Sequence, residues 1–196
     1  MMPIRQLSRA LAALPRACGN EEASQIAEFA VSLPLLVVFI VGIFDFSGAF
    51  TLKQKLANAA REGARVAAAD PANDLADSAS GVPASVSDAF QVVDNYLLAE
   101  KINDCGLGGK TPASGGALTW SATSTGTCPG GGISFTINRG CVTQQTLAGT
   151  ATSMVATCVT LTYPYSWRFS SVSSLLGRTI MGPSNLTTMA VAYNEN

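Results

Sequence analysis

The feature that most constrains this chain is the run Phe29–Phe44, FAVSLPLLVVFIVGIF, which contains no charged residue. Continued through Asp45 to Phe50, it reaches roughly twenty residues, the length a helix needs to cross about 30 Å of hydrocarbon at 1.5 Å per residue. Pro34 sits inside the run and predicts a kink. Phe44, Phe46 and Phe50 gather aromatic rings at its C-terminal end. A cleaved secretory signal is the competing reading, with Ser47-Gly48-Ala49 as a small-x-small cleavage site. Against it, the region before the run is long and carries Glu21, Glu22 and Glu28.

Composition agrees with a membrane segment joined to a polar but weakly charged domain. Charged residues make up 13% of the chain, about half the usual share, and the net charge is −1. No basic surplus exists to hold nucleic acid. There is no histidine, which excludes Ser-His-Asp and Cys-His catalysis and removes the commonest metal ligand. No carboxylate pair stands out as catalytic, so the sequence offers no enzyme, no metal site and no cofactor site.

Cys18 precedes the apolar run, and Cys105, Cys128, Cys141 and Cys158 follow it. The four are spaced far more widely than the C-x2-4-C pairs of structural zinc sites. They are expected to form two disulfides, with three pairings open. Disulfides require an oxidising compartment, so the region after the run is expected outside the cytoplasm and the N-terminus inside it. The flanking charges do not settle the orientation. Arg5, Arg9 and Arg16 lie before the run, and Lys53, Lys55, Arg61 and Arg65 after it.

Helical sequence continues well past the apolar run. From about Glu21 to Ala69 there is a single proline and no glycine cluster. Leu52, Leu56, Ala59, Ala60, Gly63, Val66 and Ala67 recur at three- and four-residue spacing, a stripe of mostly small side chains that lets another element approach closely. Asp70-Pro71 stops the pattern. One helix of about 70 Å is expected, half in lipid and half as the spine of an outer domain. Glu28 and Asp45 are its odd residues. A carboxylate in or near hydrocarbon costs a few kcal/mol and usually pairs or marks function. The plainer alternative is a headgroup-level acid at each edge of the membrane.

The outer domain reads as a linker over Asp70–Val82, a second helix over Pro83–Asn103, and then strands. The second helix has Phe90, Val93, Tyr96 and Leu97 on its apolar face and Ser85 or Ser87 as its cap. Strands are expected at Ala117–Thr123, Ile133–Asn138, Ser153–Tyr163 and Asn185–Asn194, and a short helix at Ser170–Gly177. The economical arrangement is an antiparallel sheet packed on the helical spine, an α+β fold with a disulfide-bonded outer domain. Asp70, Asp74 and Asp77 lack a calcium-loop register and read as solvated loop acids. Gly108-Gly109-Lys110-Thr111 resembles the end of a phosphate-binding loop but lacks its first glycine and its strand. Asn185-Leu186-Thr187 matches a glycosylation sequon of the kind that arises by chance. Tyr163, Tyr165 and Trp167 read as core or rim residues rather than a binding ledge.

The N-terminal third resembles the TadE-like family, pseudopilin-like proteins of bacterial tight-adherence (Tad) pilus systems. The resemblance rests on Glu28-Phe29, Pro34, Gly42-Ile43-Phe44-Asp45-Phe46 and Ala59-Ala60-Arg61-Glu62-Gly63-Ala64-Arg65. It implies a pilin-like organisation: a basic cytoplasmic leader over 1–23, a transmembrane and spine helix over 24–69, and a periplasmic domain over 70–196. It also implies cleavage between Ala23 and Ser24 by a prepilin peptidase, with Glu28 and Phe29 as assembly-register residues. At the minus-one position pilin-type sites carry glycine, and this chain has Ala23, so an uncut inner-membrane component stays open. The implied partners are the membrane, other pilin or pseudopilin subunits, Tad assembly proteins and the peptidase. The expected location is the inner membrane, extending to the pilus surface. The function expected is that of a minor pilin or pseudopilin. The alternative is a membrane-anchored periplasmic binding domain outside any pilus.

Overall fold

The structure, a computed structural model, describes residues 21–77, 81–126, 128, 131–147, 150–168 and 184–194. The helix expected at Ser170–Gly177 and most of the basic leader lie outside the described residues. The chain forms two compact units, one ending at Ile43 and the other starting at Phe44.

Helix α1 runs Glu21–Ala69, the span its sequence pattern predicts. Helical structure is continuous across Pro34. Proline removes one main-chain donor, and nearby the Ser32 hydroxyl donates to the Phe29 carbonyl at 3.2 Å. In the first unit every side chain from Ser24 to Val37 is exposed. A helix with this many uncovered apolar side chains is of the kind found in a protein core or a membrane.

The second unit is a two-layer α+β domain. Past Phe44, α1 buries the predicted stripe: Leu56, Ala59, Ala60, Gly63 and Ala67 are covered, together with Ala64 and Ala68. Lys53, Arg61, Glu62 and Arg65 stay exposed. Lys55 pairs with Glu100 at 3.0 Å. Helix α2, Ala84–Ala99, buries Val86, Ala89, Phe90, Val93 and Leu97, and Tyr96 is half-buried. Close approach of the two helices depends on Gly63. A Cβ there would lie 2.6 Å from Val93 Cγ2, 3.3 Å from the Ala89 carbonyl oxygen and 3.9 Å from Val159 Cγ1. The glycine is therefore required by the helix–helix contact, whereas the sheet at Val159 would meet a Cβ at ordinary contact distance.

The N-terminus of α2 differs from the sequence reading. Its cap position is Pro83, and neither Ser85 nor Ser87 caps it. Instead the Ser85 amide donates to Asp74 Oδ2 at 2.9 Å. Asp74 reaches that position because Ala72–Asp77 is a 3-10 helix rather than open linker. A carboxylate at a helix start also suits the helix dipole. Asp70 and Asp74 are therefore not solvated loop acids: each keeps a side-chain oxygen buried.

The sheet is an antiparallel meander in the order β1-β2-β3-β4-β5, with β1 Ala113–Gly116, β2 Thr119–Ser124, β3 Ile133–Leu147, β4 Thr150–Pro164 and β5 Asn185–Tyr193. Alternation puts Ile133, Phe135, Ile137, Val159 and Leu161 into the core. Phe90 of α2 meets Phe135 edge-on, with ring centroids 5.3 Å apart. Burying each such side chain contributes about 1.5–3 kcal/mol.

Two strand expectations need correction. β1 carries only Ala, Ser and Gly and is exposed throughout, so it leaves no hydrophobic signal. The β3–β4 pairing runs on past the predicted ends of both strands, Thr143 facing Met154 and Gln145 facing Thr152. Main-chain pairing rather than burial holds this half, since Val142 and Val155 are 66% and 56% exposed. The ladder shifts register between Asn138 and Cys141. Beside that irregularity Cys141 joins Cys158, while Cys105 joins Cys128. The bridges close sequence separations of 17 and 23 residues, loops for which chain entropy alone predicts roughly 3 kcal/mol each.

At the same irregularity lies Arg139, 1% exposed. Its guanidinium donates to the Asp70 carbonyl at 3.1 Å and to Thr157 Oγ1 at 3.3 Å. Thr157 donates to Asn194 Oδ1 at 2.6 Å, and Asn194 Nδ2 donates back to the Arg139 carbonyl at 3.3 Å. Burial lowers the Arg139 pKa, and the charges of Asp74 and Asp70 raise it in opposition. The group stays protonated, because a guanidinium does not titrate in the accessible range. The side chain joins the end of α1 to the sheet.

Three substitutions test this packing. Gly63→Ala is expected to cost about 1–3 kcal/mol in urea unfolding of the detergent-solubilised protein. Gly109→Ala, where a Cβ meets nothing within 4 Å, should change stability by less than about 0.5 kcal/mol. Arg139→Met keeps the apolar stem and removes the hydrogen bonds, and should cost about 2–3 kcal/mol in the same assay.

Candidate functional site

The candidate assembly residues lie at the start of α1. The Ala23–Ser24 bond falls within the first turn of the helix, which begins at Glu21. Ser24, Ala27, Glu28, Val31, Ser32 and Leu35 line one shallow concave strip. The positions step by three and four residues, so they share one helix face. Glu28 lies within this strip, exposed, with no ion-pair or hydrogen-bond partner among the described residues. Phe29 beside it is 64% exposed. Glu28 and Phe29 belong to the first unit and the four bridged cysteines to the second. The strip offers an acid flanked by small and aliphatic side chains, suited to close contact with another helix.

Asp45 has a different environment. It is 6% exposed. The Tyr165 hydroxyl lies 3.0 Å from Asp45 Oδ1 and 3.0 Å from the Asp45 carbonyl oxygen, donating to this pair of acceptors. Burial, then the hydrogen bond and charge of Asp45, raise the Tyr165 pKa, so the phenol remains a donor. Asp45 is thus a covered acid rather than one open to water. Trp167 packs on Tyr165 at 4.9 Å and on Phe46 at 5.1 Å between ring centroids. Tyr163 turns its hydroxyl onto the Asn103 carbonyl at 3.0 Å. The three aromatic residues therefore act as ties between distant parts of the second unit. Sequence reading singled out both Asp45 and Tyr165 but had no signal to join residues so far apart.

The glycine-rich loop after Cys105 is already occupied from within. Leu107–Gly109 is a short 3-10 helix. The Gly106 and Gly108 amides donate to the Asp104 carboxylate at 3.1 and 3.3 Å. Donors that would cradle a phosphate hold an acid of the chain itself. Asp94 of α2 lies against the same acid. Burial first, then the charge of Asp104 and a side-chain hydrogen bond to it, raise the Asp94 pKa. No group of three or more His, Cys, Asp or Glu is arranged to hold a metal among the described residues.

Together these features define an α+β protein built on a spine helix, whose residues 24–69 form a helix long and apolar enough by length and composition to cross a membrane. The family described as TadE-like protein matches residues 23–65, a stretch that holds Glu28, Asp45 and Gly63. The match connects this segment, less than a quarter of the chain, with pilin-like proteins associated with Tad pili. No curated protein and no solved structure matches the chain.

The Asp94–Asp104 contact yields a pH prediction. Asp94 has a raised pKa in the folded state, so its contribution to stability is present in acid and lost as pH rises through that raised value. Urea midpoints of the wild type should therefore carry a component that falls as pH rises from about 4 through the raised Asp94 value. Asp94→Asn should remove that component and raise the midpoint at neutral pH.

Proposed function

We propose that the chain is a minor pilin or pseudopilin-like structural subunit that supports assembly of a Tad-type pilus. It is held in the bacterial inner membrane by α1, with its N-terminus in the cytoplasm and its disulfide-bonded unit in the periplasm. Its partners are other pilin or pseudopilin subunits and the Tad assembly proteins, and its role is structural rather than enzymatic. The observation that carries this reading is the TadE-like match over residues 23–65, on a helix that presents Glu28, without a partner among the described residues, on a face of small and aliphatic side chains. The two disulfides support an oxidising location for the second unit.

The chemistry of assembly follows from Glu28. A prepilin peptidase cutting between Ala23 and Ser24 would create an amine at Ser24. That bond lies in the first described turn of α1, and helix ends open more readily than helix interiors. The Glu28 carboxylate of one subunit could then pair with the amine of its neighbour. A lone carboxylate in lipid is expensive, and an ion pair with good geometry offsets much of that cost. The pair would set the axial register between subunits. Ala23 at the minus-one position favours a second reading, an uncut membrane-anchored interaction domain outside the fibre.

Intact mass and N-terminal analysis of the membrane-extracted protein distinguish the two. A chain beginning at Ser24 is expected. An uncut N-terminus, together with normal piliation after deletion of the gene, would favour the second reading. Glu28→Gln should leave the urea stability of the outer unit within about 0.5 kcal/mol of wild type, since Glu28 is exposed and has no partner among the described residues. The same substitution should abolish recovery of the subunit with sheared pili or with its assembly partners.

A further inference from the structure

The second unit begins with a cluster of aromatic residues that its own core does not absorb. Phe44, Phe46 and Phe50 are 74%, 63% and 64% exposed. Rings this exposed on a water-facing surface would be a liability. Trp167 reaches this same stretch from the far end of the chain, packing on Phe46 with centroids 5.1 Å apart, and Tyr165 packs on Trp167. The Tyr165 hydroxyl lies against the helix at Asp45. Gly48 leaves it room, since a Cβ there would stand 3.3 Å from the hydroxyl oxygen. Two positively charged residues flank the cluster, Lys53 on the helix and Arg168 next to Trp167, both exposed.

This is the composition of a membrane–water boundary. Tryptophan and tyrosine concentrate there because each joins an apolar ring to a polar handle. Basic side chains just outside the rings meet the phosphates of the lipid headgroups. The cluster also explains how Asp45 is tolerated at the end of an apolar run. Its carboxylate is covered and accepts a hydrogen bond from Tyr165, so it does not face lipid unpaired.

We infer that the Phe46–Tyr165–Trp167 cluster is a membrane-seating surface, which places the base of the outer domain in the headgroup layer of a phospholipid bilayer. The inference rests on α1 being a membrane anchor. It adds that the segment 165–168, remote from α1 in sequence, touches lipid. The outer domain is therefore seated on the bilayer and not held away from it.

The two tryptophans make the test direct. Trp120 is 2% exposed within the core, whereas Trp167 belongs to the cluster. The full-length protein is reconstituted into phosphatidylcholine–phosphatidylglycerol vesicles whose acyl chains carry bromine either near the headgroup or near the chain terminus. Flotation with the vesicles reports the anchor independently. Bromines near the headgroup are expected to quench the Trp167 share of the emission, and terminal bromines to quench it less. Trp167→Phe should remove the quenchable share and leave the Trp120 emission unchanged. Protein that floats with the vesicles but is quenched only by aqueous iodide would overturn the seating while leaving the anchor intact. Equal bromine quenching in Trp167→Phe would overturn it as well. Protein that does not float would overturn the anchor reading and the seating with it. If the variant misfolds, the two-depth profile of the wild type alone decides, because core-buried Trp120 is shielded from lipid.

Discussion

The second unit depends on how closely α1 lets its neighbours approach. Its inward stripe is alanine and glycine with one leucine at Leu56, so the helix presents a nearly smooth side. Val93 and Ala89 of α2 and Val159 of β4 all converge on Gly63. A side chain at that point would push α2 away from α1, since its Cβ would lie 2.6 Å from Val93 Cγ2 and 3.3 Å from the Ala89 carbonyl oxygen. Dispersion contacts fall off steeply over fractions of an ångström, so the loss would spread through every layer. Large side chains come instead from the partners: Phe90, Leu97, Phe135 and Leu161. The domain is assembled from a small-residue helix and large-residue surroundings, the complementarity that a close-packed core requires.

Apolar packing does not extend to the whole sheet. Beyond the register shift at Asn138/Cys141, β3 and β4 continue with Thr, Gln and Ser on exposed positions. At that boundary the means of cohesion changes. Arg139 gathers the Asp70 carbonyl and Thr157, and Thr157 passes the chain of hydrogen bonds to Asn194. The Cys141–Cys158 bridge closes the hairpin at the same level. Desolvation of a buried arginine offsets much of what its contacts gain, so its removal costs stability mainly through the acceptors left unpaired. Its value lies in specifying which groups meet, here the Asp70 carbonyl just past α1, the Thr157 hydroxyl on β4 and, through it, Asn194 just past β5. Hydrogen bonds and a covalent link take over where the core ends.

How much of this was legible in the sequence followed the range of the interactions. The long helix could be read to its ends, since hydropathy, small-residue periodicity and Asp70-Pro71 are local signals. The core halves of β3 and β4 were equally clear, because burial on one face imposes alternation. The exposed halves carried no such pattern, and β1 carried no apolar residue at all. Local sequence points to Ser85 or Ser87 as the cap, yet the acceptor is Asp74, brought in by a 3-10 turn that sequence alone reads as linker. At the candidate site, Glu28 and Phe29 stood out through their own chemistry and their setting in an apolar run. The Asp45–Tyr165 bond and the role of Arg139 did not, since each joins residues separated by tens of positions or more. Nothing in either local sequence points to the other partner.

Asp45 shows why an acid can close an apolar helix segment without opening that segment to water. Its place in the sequence, between Phe44 and Phe46, suggests an expensive charge at the edge of hydrocarbon. The structure supplies a donor from the last part of the chain, over a glycine that leaves room for it, and covers the carboxylate. The two acids of α1 are thus physically opposite. Asp45 is satisfied within its own chain, and its bond ties the helix to the segment after β4. Glu28 has no partner within the described chain and sits on an exposed strip of small and aliphatic side chains. In a low-dielectric surround the first needs nothing more, whereas the second is costly until a positive group from another molecule reaches it. The same helix thus carries one acid bound within the fold and one that has no partner among the described residues.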